Sequence, residues 1–237
     1  MTRILSAMIL AAGFGTRMGA LTQTRPKPLL TVGGRPMIDL ALDLVAEAGA
    51  DTAVVNLHYL GDQIRAHLSE RTAPAIAFSP EDPILDTGGG VVQALRLLTG
   101  EAFFTLNSDS IFAGPNPLGT LAGAWQPDRM DALLLMVPVG QTRAYTRAGD
   151  FFLDPATGLP ERRGAADSAP FVYAGAQIIA RKALTGAPDG AFSMNLIWDR
   201  LLAERRLRAV SYPGLWVDVG TPEGLAEADA ILAQSPA

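Results

Sequence analysis

The sequence predicts an α/β fold in which a doubly wound, mostly parallel sheet carries helices on both faces. Short apolar runs alternate with stretches of helical spacing along much of the chain. Hydrophobic residues make up 49% of the 237 residues, enough for a large core. Three Gly- or Asp-containing segments each follow or end an apolar run. Alternating strands and helices favour parallel pairing, and ligands of such sheets bind beyond the carboxyl ends of the strands.

The first part of the chain repeats a strand–helix unit. Strands are predicted at 4–10, 52–57, 75–78, 103–106 and 132–139, and helices at 36–48, 60–69, 89–98 and 118–125. The strands are mostly continuous apolar runs, as in strands buried on both faces. The helix over 36–48 has apolar residues at helical spacing and ends at Gly49, a residue typical of helix C-termini.

From residue 141 the chain becomes polar and rich in Pro, Gly and Asp, which predicts a small antiparallel excursion. The predicted elements that follow are strands at 151–153 and 172–180, a helix over 194–206, strands at 207–212 and 215–219, and a closing helix over 222–232. In the helix over 194–206, the side chains expected to face inward are Leu196, Ile197, Leu201 and Leu202. No linker separates two domains, so we expect one domain over 1–237.

Composition excludes several classes of protein. Nineteen basic and 24 acidic residues give a net charge of −5, whereas a non-specific nucleic-acid binder needs a basic face. The absence of cysteine excludes disulfides, thiolate nucleophiles and zinc–cysteine sites. Two histidines are too few for a His-rich metal site. No apolar run reaches about 18 residues, so no membrane span is expected.

A glycine-rich segment follows the first predicted strand. Gly13 and Gly15 allow the backbone to approach a ligand closely, and consecutive N–H groups form an anion-binding nest. Arg17 adds a planar guanidinium that can hold two phosphate oxygens. The segment is not a Walker loop, because no Gly-Lys-Ser/Thr follows. A dinucleotide fingerprint is disfavoured because Met18 occupies the position of its third glycine.

Three further charged residues are candidates for phosphate and metal binding. Lys27 lies between two prolines, as surface turn lysines also do, but its proximity to Arg17 favours a phosphate contact. Asp109 and Asp218 each lie at the end of an apolar strand and are expected to point into a cleft. Asp109 also suits a turn or a helix cap, and Asp218 an ion pair with arginine. Because a buried carboxylate needs a cationic partner, Mg²⁺ between the two is favoured.

These segments resemble the signature of the sugar-1-phosphate nucleotidylyltransferases. The resemblance is carried by LAAGFGTRMGALTQTRPKPLLTVGGRPMI at 10–38, LDTGGG at 85–90, NSD at 107–109 and WVDVGT at 216–221. It extends in order over nearly the whole chain. Within the family, the chain is most similar to short enzymes that resemble N-acetylmuramate-1-phosphate uridylyltransferase and have no C-terminal β-helix domain.

The resemblance implies a Rossmann-like nucleotide-diphospho-sugar transferase fold and a Mg²⁺-dependent enzyme. The implied reaction transfers a nucleoside monophosphate from a nucleoside triphosphate to a sugar 1-phosphate and releases pyrophosphate. UTP and N-acetylmuramate 1-phosphate are the favoured substrates. Residues 1–140 would bind the nucleotide, and 141–237 would bind the sugar and supply the closing helix. The resemblance further implies a cytoplasmic enzyme of peptidoglycan recycling with no nucleic-acid or membrane partner, and leaves the oligomeric state open.

The resemblance also implies roles for individual residues. The catalytic residues would be Arg17, Lys27 and Asp109, and the metal ligands Asp109 and Asp218. The nucleotide would contact Leu10, Ala11, Ala12, Gly13, Gly15, Arg17, Glu81 and Gly88. The sugar would contact Asn107, Asp150, Glu161 and Gly175. Many family members have Asn-Ala-Gly where this chain has Tyr-Ala-Gly at 173–175, which leaves the acceptor open.

Other functions remain alternatives at this point. One alternative within the same class is an enzyme that uses glucose 1-phosphate or mannose 1-phosphate as its acceptor, or phosphocholine together with CTP. A non-catalytic nucleotide-sugar sensor is a different class, and the retention of Arg17, Lys27, Asp109 and Asp218 argues against it. A dinucleotide-dependent oxidoreductase is opposed by the missing third glycine and by the RPKP segment at 25–28.

Overall fold

The computed structural model describes residues 3–234, which form fourteen strands and six α-helices. The strands are β1 (Ser6–Leu10), β2 (Thr31–Val32), β3 (Arg35–Pro36), β4 (Thr52–Leu57), β5 (Ala75–Pro80), β6 (Ala102–Asn107), β7 (Ser110–Ala113), β8 (Ala132–Pro138), β9 (Thr142–Arg143), β10 (Phe151–Leu153), β11 (Pro160–Arg162), β12 (Phe171–Ala180), β13 (Leu207–Ser211) and β14 (Leu215–Asp218). The helices are α1 (Met37–Glu47), α2 (Gly61–His67), α3 (Asp86–Ala94), α4 (Pro117–Ala124), α5 (Asn195–Ala203) and α6 (Pro222–Gln234). Short 3₁₀ helices cover Thr16–Thr22, Lys27–Leu29, Val139–Gln141 and Arg181–Leu184.

A nine-stranded sheet forms the centre of the molecule. Strands β5, β4, β1 and β6 pair in that order and are parallel, as are β8 and β13. Strand β12 lies antiparallel between β6 and β8, and β10 and β11 extend the sheet beyond it. The predicted class, a mostly parallel α/β sheet with an antiparallel excursion, is confirmed.

Side-chain alternation along the strands divides the core into two layers. In β1, Ala7 and Ile9 pack with the cluster under α1, α2 and α4, while Met8 packs with the cluster under α3 and α5. All three side chains are completely buried. A strand buried on both faces has to be apolar throughout, which explains the continuous apolar runs of the sequence. A third cluster joins α6 to β2 and β14.

A small second sheet brings the late aspartate strand to the main cleft. Strand β14 pairs antiparallel with β7 and parallel with β9. Its register places Asp218 opposite Ser110, the residue after Asp109. Directly opposed residues of an antiparallel pair are about 5 Å apart at their Cα atoms. Asp218 is therefore paired with the residue that directly follows Asp109, although the two aspartates are far apart in the chain.

Two predicted details are wrong. Helix α3 begins at Asp86 and contains the glycine triplet. A Cβ at Gly89 would lie 2.2 Å from the carbonyl oxygen of Gly190. The glycines therefore permit close packing of an existing helix and do not open it. Leu196 is 51% exposed, because α5 turns Ile197 and Leu201 toward the sheet. Within residues 3–234, no helix combines the length and apolarity that a bilayer crossing requires.

Candidate active site

The carboxyl ends of β1 and β6, together with the end of β14, open into one cleft. Its largest cavity, of 560 Å³, is bordered by six of the sequence-predicted residues: Arg17, Asn107, Asp109, Asp150, Gly175 and Asp218. A cavity of 220 Å³ beside it is bordered by Leu10, Ala11, Gly13, Gly15, Arg17, Lys27 and Asp109. A third, of 260 Å³, is bordered by Leu10, Ala12, Gly13, Glu81, Asn107 and Asp109. Because Asp109 borders all three cavities, they are parts of a single cleft.

The glycine-rich loop is fixed from both ends. The N–H of Ala11 donates to Oδ1 of Asn56 at 2.6 Å, which anchors the loop where it leaves β1. Gly15 has φ +65°, and a Cβ there would lie 3.0 Å from Cβ of Lys27. The hydroxyl of Thr22 donates to the carbonyl of Gly15 at 3.0 Å. A glycine is therefore required at position 15 both by its left-handed backbone and by the neighbouring lysine.

Lys27 is a buried cation at the floor of the cleft. It begins the 3₁₀ turn Lys27–Leu29 between Pro26 and Pro28, and only 11% of its side chain is exposed. Its ammonium forms an ion pair with Oδ2 of Asp109. A buried ammonium needs such a partner, since an unpaired one is strongly disfavoured. Lys27 is therefore not an ordinary surface lysine, and the two charges are held in contact at the meeting point of the cavities.

Arg17 and Asp218 face the same cleft. The guanidinium of Arg17 lies directly over Gly220, where a Cβ would approach its Nη1 to 2.5 Å. The carboxylate of Asp218 is 20% exposed, and its Oδ2 lies 3.7 Å from a guanidinium nitrogen of Arg147. The sequence also allowed an ion pair between Asp218 and an arginine. Arg147 forms that pair, at a distance near the upper limit for ion pairs. That arginine is 64% exposed, so it leaves the carboxylate accessible to a cation in the cleft.

The donor set in the cleft fits a divalent cation of the magnesium type. Within residues 3–234, no cluster of three or more His, Asp or Glu residues forms a complete protein cage for a metal. Mg²⁺ is commonly held by one or two carboxylates together with water and substrate phosphates. Asp109 and Asp218 border one cavity and supply such a pair. Arg17 and Lys27, beside them, are suited to the same phosphates.

Glu81 supports the loop from beneath the third cavity. It is 3% exposed, and its carboxylate accepts hydrogen bonds from Nδ2 of Asn56 at 2.7 Å and from the N–H of Leu85 at 2.9 Å. Asn56 in turn holds the N–H of Ala11. Glu81 therefore connects the start of the glycine-rich loop to the segment that precedes α3. It also borders the cavity in which Ala12 and Gly13 present their backbone.

Asn107, Gly175 and Asp150 border the opposite end of the cleft. Gly175 has φ +75°, and a Cβ there would lie 2.8 Å from Nδ2 of Asn107 and 2.4 Å from Oγ of Ser110. Only glycine fits this position, because a side chain would displace both polar groups. Oδ2 of Asp150 accepts a hydrogen bond from the N–H of Tyr173 at 3.2 Å. The carboxylate is thereby fixed at the cleft wall.

Two predicted site residues are not brought to the cleft. The N–H of Gly88 donates to the carbonyl of Phe192 at 2.8 Å, so it is already used within the protein. Glu161 borders a separate cavity of 480 Å³. In the β10–β11 register it stands opposite Phe152, while Arg162 stands opposite Phe151 and faces the cleft. Successive strand residues point to opposite faces, so the strand presents Arg162 to the cleft and turns Glu161 away.

Aromatic rings line the end of the cleft that Asn107, Gly175 and Asp150 border. The ring of Tyr173 packs on Trp198 in a T-shaped contact with centroids 4.7 Å apart, and burial raises the pKa of the Tyr173 phenol. Burial, with the nearby charge of Asp150, also raises the pKa of Tyr145. The phenol oxygen of Tyr145 accepts the N–H of Gly149 at 3.1 Å. Both phenols therefore stay protonated at neutral pH and are not bases for the reaction.

Residues 7–208 match the family model of the MobA-like NTP transferase domain. The chain belongs to this family. It is 42% identical to the N-acetylmuramate α-1-phosphate uridylyltransferase of Caulobacter vibrioides, with 97% of each chain covered. It is 34% identical to the enzyme of the same name from Neisseria meningitidis, with 96% of this chain and 98% of that protein covered. The chain is therefore an enzyme, a sugar-1-phosphate nucleotidyltransferase, as the sequence motifs predicted.

Solved structures show the same fold at low sequence identity. The UDP-glucose pyrophosphorylase structure complexed with UDP-glucose is 17% identical and superposes with a TM-score of 0.78, covering 98% of this chain and 99% of that one. HddC from Yersinia pseudotuberculosis is 20% identical, also with a TM-score of 0.78, covering 97% and 100%. These likenesses confirm the Rossmann-like architecture. Enzymes of this family generally use a divalent metal.

The sequence analysis did not single out the three arginines that border the cleft of this enzyme. Arg147, Arg162 and Arg163 lie along the end of the cleft that Asn107, Asp150 and Gly175 border. No motif marks the arginines, because they belong to the irregular excursion from residue 141. The one available signal for Arg162 was the alternation of side chains along a strand. In the strand at 160–162, Glu161 and Arg162 point to opposite faces of the sheet.

Proposed function

We propose that this enzyme transfers UMP from UTP to N-acetylmuramate 1-phosphate, releasing pyrophosphate and forming the UDP-sugar. The observation that carries the reaction type is the single cleft in which Asp109 and Asp218 stand beside Arg17 and Lys27. The substrate pair is supported by the two relatives at 42% and 34% identity, each matched over nearly its whole length. We place the reaction in the cytoplasm, where nucleoside triphosphates are available.

Asp109 and Asp218 would hold Mg²⁺. When bound, the cation supplies positive charge to the phosphate oxygens. Arg17, exposed at the mouth of the 220 Å³ cavity, binds the β- and γ-phosphates with its planar fork. Lys27 lies deeper, and its ammonium is positioned for the α-phosphate or the phosphate of the incoming sugar. An oxygen of the sugar phosphate attacks the α-phosphorus, and the bond to the β-phosphate oxygen breaks.

No covalent enzyme intermediate is required. The two substrates are both anions, so the main task of the protein is to neutralise and align them. Lys27 and Arg17 do this from the nucleotide side, and both are attached to segments with little freedom. Lys27 is held between prolines, and Arg17 is packed over Gly220. This arrangement lowers the cost of reorganisation when charge develops at the α-phosphorus.

The nucleoside would lie along the glycine-rich loop. The backbone of Leu10, Ala11, Ala12, Gly13 and Gly15 follows the wall of the two smaller cavities. The base occupies the 260 Å³ cavity above Glu81, which fixes the loop through Asn56. Gly88 contributes indirectly, since its missing side chain lets α3 approach Phe192.

The sugar would bind at the other end of the cleft, beside Asn107, Asp150 and Gly175. The amide of Asn107 and the second oxygen of Asp150 are suited to sugar hydroxyls. Gly175 keeps both Asn107 and Ser110 in place, and Trp198 offers an apolar wall. Glu161 is not part of this subsite, because its strand turns it to the other face.

The proposal is tested by measuring pyrophosphate release for a matrix of substrates. UTP, CTP, dTTP and GTP are each combined with N-acetylmuramate, N-acetylglucosamine, glucose and mannose 1-phosphates and with phosphocholine, with and without Mg²⁺. We expect UTP with N-acetylmuramate 1-phosphate to give the highest kcat/KM, and release to require the cation. A preference for GTP with mannose 1-phosphate would contradict the substrate assignment; relatives named mannose-1-phosphate guanylyltransferase match at 29% and lower identity. If no combination of triphosphate and acceptor releases pyrophosphate, the result would favour the alternative of a non-catalytic nucleotide-sugar sensor.

A further inference from the structure

The largest cavity of the cleft is bordered by arginines and by the carboxylates of Asp86, Asp109, Asp150 and Asp218, so an arginine adds free positive charge there only where no carboxylate pairs with it. Arg147, Arg162 and Arg163 border this cavity, in addition to Arg17 and Lys27 on the nucleotide side. The phosphate of a sugar 1-phosphate has to reach Lys27 and the α-phosphate at the opposite end. The neutral hydroxyls of a sugar do not need guanidinium groups. The three arginines therefore have to be accounted for one by one.

Arg162 is already neutralised inside the protein. Its guanidinium lies 2.7 Å from Oδ1 of Asp199, to which its Nε also donates at 2.8 Å. The same group lies over the ring of Phe151, 5.1 Å from the centroid. Arg147 lies over the ring of Tyr145 and 3.7 Å from Asp218, next to the proposed metal position. Both arginines therefore have an assigned local role.

Arg163 has no such partner. Its Nη1 donates to the carbonyl of Ala166 at 3.1 Å, and within residues 3–234 it forms no ion pair with a carboxylate. A guanidinium has five N–H donors, so most of them remain unused. Its backbone is fixed, because its N–H donates to the carbonyl of Asp150 at 2.9 Å. The residue is half-buried at the cleft wall, beside an aspartate already proposed to bind the sugar.

We propose that Arg163 binds a carboxylate carried by the acceptor sugar and thereby selects acidic sugar phosphates over neutral ones. This inference rests on the proposed function and adds a residue that determines acceptor specificity. An arginine fork matches a carboxylate with two parallel hydrogen bonds. The proposed acceptor, a muramate, carries one carboxylate on its lactyl ether. N-acetylglucosamine 1-phosphate lacks that group and is otherwise closely matched.

The test is a cycle of two acceptors and four enzymes with UTP and Mg²⁺. The acceptors are N-acetylmuramate 1-phosphate and N-acetylglucosamine 1-phosphate. The enzymes are the wild type, Arg163→Gln, Arg163→Lys and the control Arg96→Gln, which removes the same charge from an exposed position outside the cleft. The quantity measured is the ratio of kcat/KM for the carboxylated acceptor to that for the neutral one.

Arg163→Gln is expected to lower this ratio roughly tenfold or more, mainly through KM of the carboxylated acceptor, as for a lost charged hydrogen bond. Arg163→Lys should restore part of it, and Arg96→Gln should match the wild type. An equal loss on both acceptors would overturn the role of Arg163 and leave the proposed function standing. A wild type that uses neither acceptor would overturn the proposed function, and this inference with it.

Discussion

Lys27→Met removes the buried ammonium while the methionine side chain refills most of the space of the lysine stem. Breaking a fully buried ion pair costs about 3–5 kcal/mol, because it leaves a charge without a partner. Here the remaining partner, Asp109, is 31% exposed, and water takes over part of the role of the ammonium. We therefore expect a loss of about 1–2 kcal/mol in the free energy of unfolding.

The loss of transition-state stabilisation in Lys27→Met should be larger than its loss in the free energy of unfolding. A group that stabilises developing phosphate charge inside a cleft contributes about 3–4 kcal/mol to the transition state, which corresponds to roughly 10²–10³-fold in kcat. The chain offers a matched control, since its other lysine, Lys182, pairs with Asp131 at 2.9 Å and is 63% exposed. Lys182→Met removes an ammonium from an ion pair on the surface, where such pairs contribute less than about 1 kcal/mol.

The two variants are compared by pyrophosphate release at saturating substrates and by urea-induced unfolding. Lys27→Met should lose activity out of proportion to stability, and Lys182→Met should retain both. If Lys27→Met unfolds readily but its folded fraction turns over at the wild-type rate, Lys27 has a purely structural role and the assignment is refuted.

Three further outcomes are expected. Asp109→Asn should lower turnover at least a hundredfold. It should also lower Tm, because it leaves the buried ammonium of Lys27 without its carboxylate partner. Steady-state kinetics and thermal unfolding check both, and near-normal turnover of the folded enzyme would remove Asp109 from the site. Gly220→Ala places a Cβ 2.5 Å from the guanidinium of Arg17 and should raise KM for the triphosphate several-fold, while an unchanged KM would mean that Gly220 does not position Arg17 for the triphosphate. Burial raises the pKa of Tyr212 to about 12, so its contribution to stability is complete below about pH 10 and is lost as the pH rises toward 12. Tyr212→Phe should lose about 1 kcal/mol with its hydrogen bond to Pro115 and flatten the pH dependence of unfolding in that window; an unchanged slope would contradict the shift.

The main sheet could be predicted because its signals are local. The strand at Thr52–Leu57 was predicted with its observed bounds, since a short, mostly apolar run of β-branched and aliphatic residues is typical of a buried strand. The position of the cleft followed from the same elements, because segments after parallel strands converge at one edge of the sheet. Asp109 was expected there on that ground, and it borders all three cavities.

The features that the sequence did not predict depend on contacts between segments that are distant in the chain. Strand β7 has four residues, and its pairing with β14 spans about a hundred positions, so no local pattern indicates it. That pairing is nevertheless what places Asp218 beside Asp109. Glu161 and Arg162 are neighbours in a strand of three residues and therefore point to opposite faces. Such a short strand has no pattern in the sequence that shows which of the two faces the cleft. The class of chemistry was therefore predictable, whereas the lining of the sugar end was not.

The central claim is that Asp109 and Asp218 share one divalent cation in front of Lys27 and Arg17. The most direct measurement is anomalous scattering from Mn²⁺ in crystals grown with a UTP analogue that has a methylene group between its α- and β-phosphorus atoms. The account predicts one strong peak within coordination distance of both carboxylates and of the analogue's phosphate oxygens. A peak that contacts neither aspartate, with the analogue bound in the cleft, would contradict it.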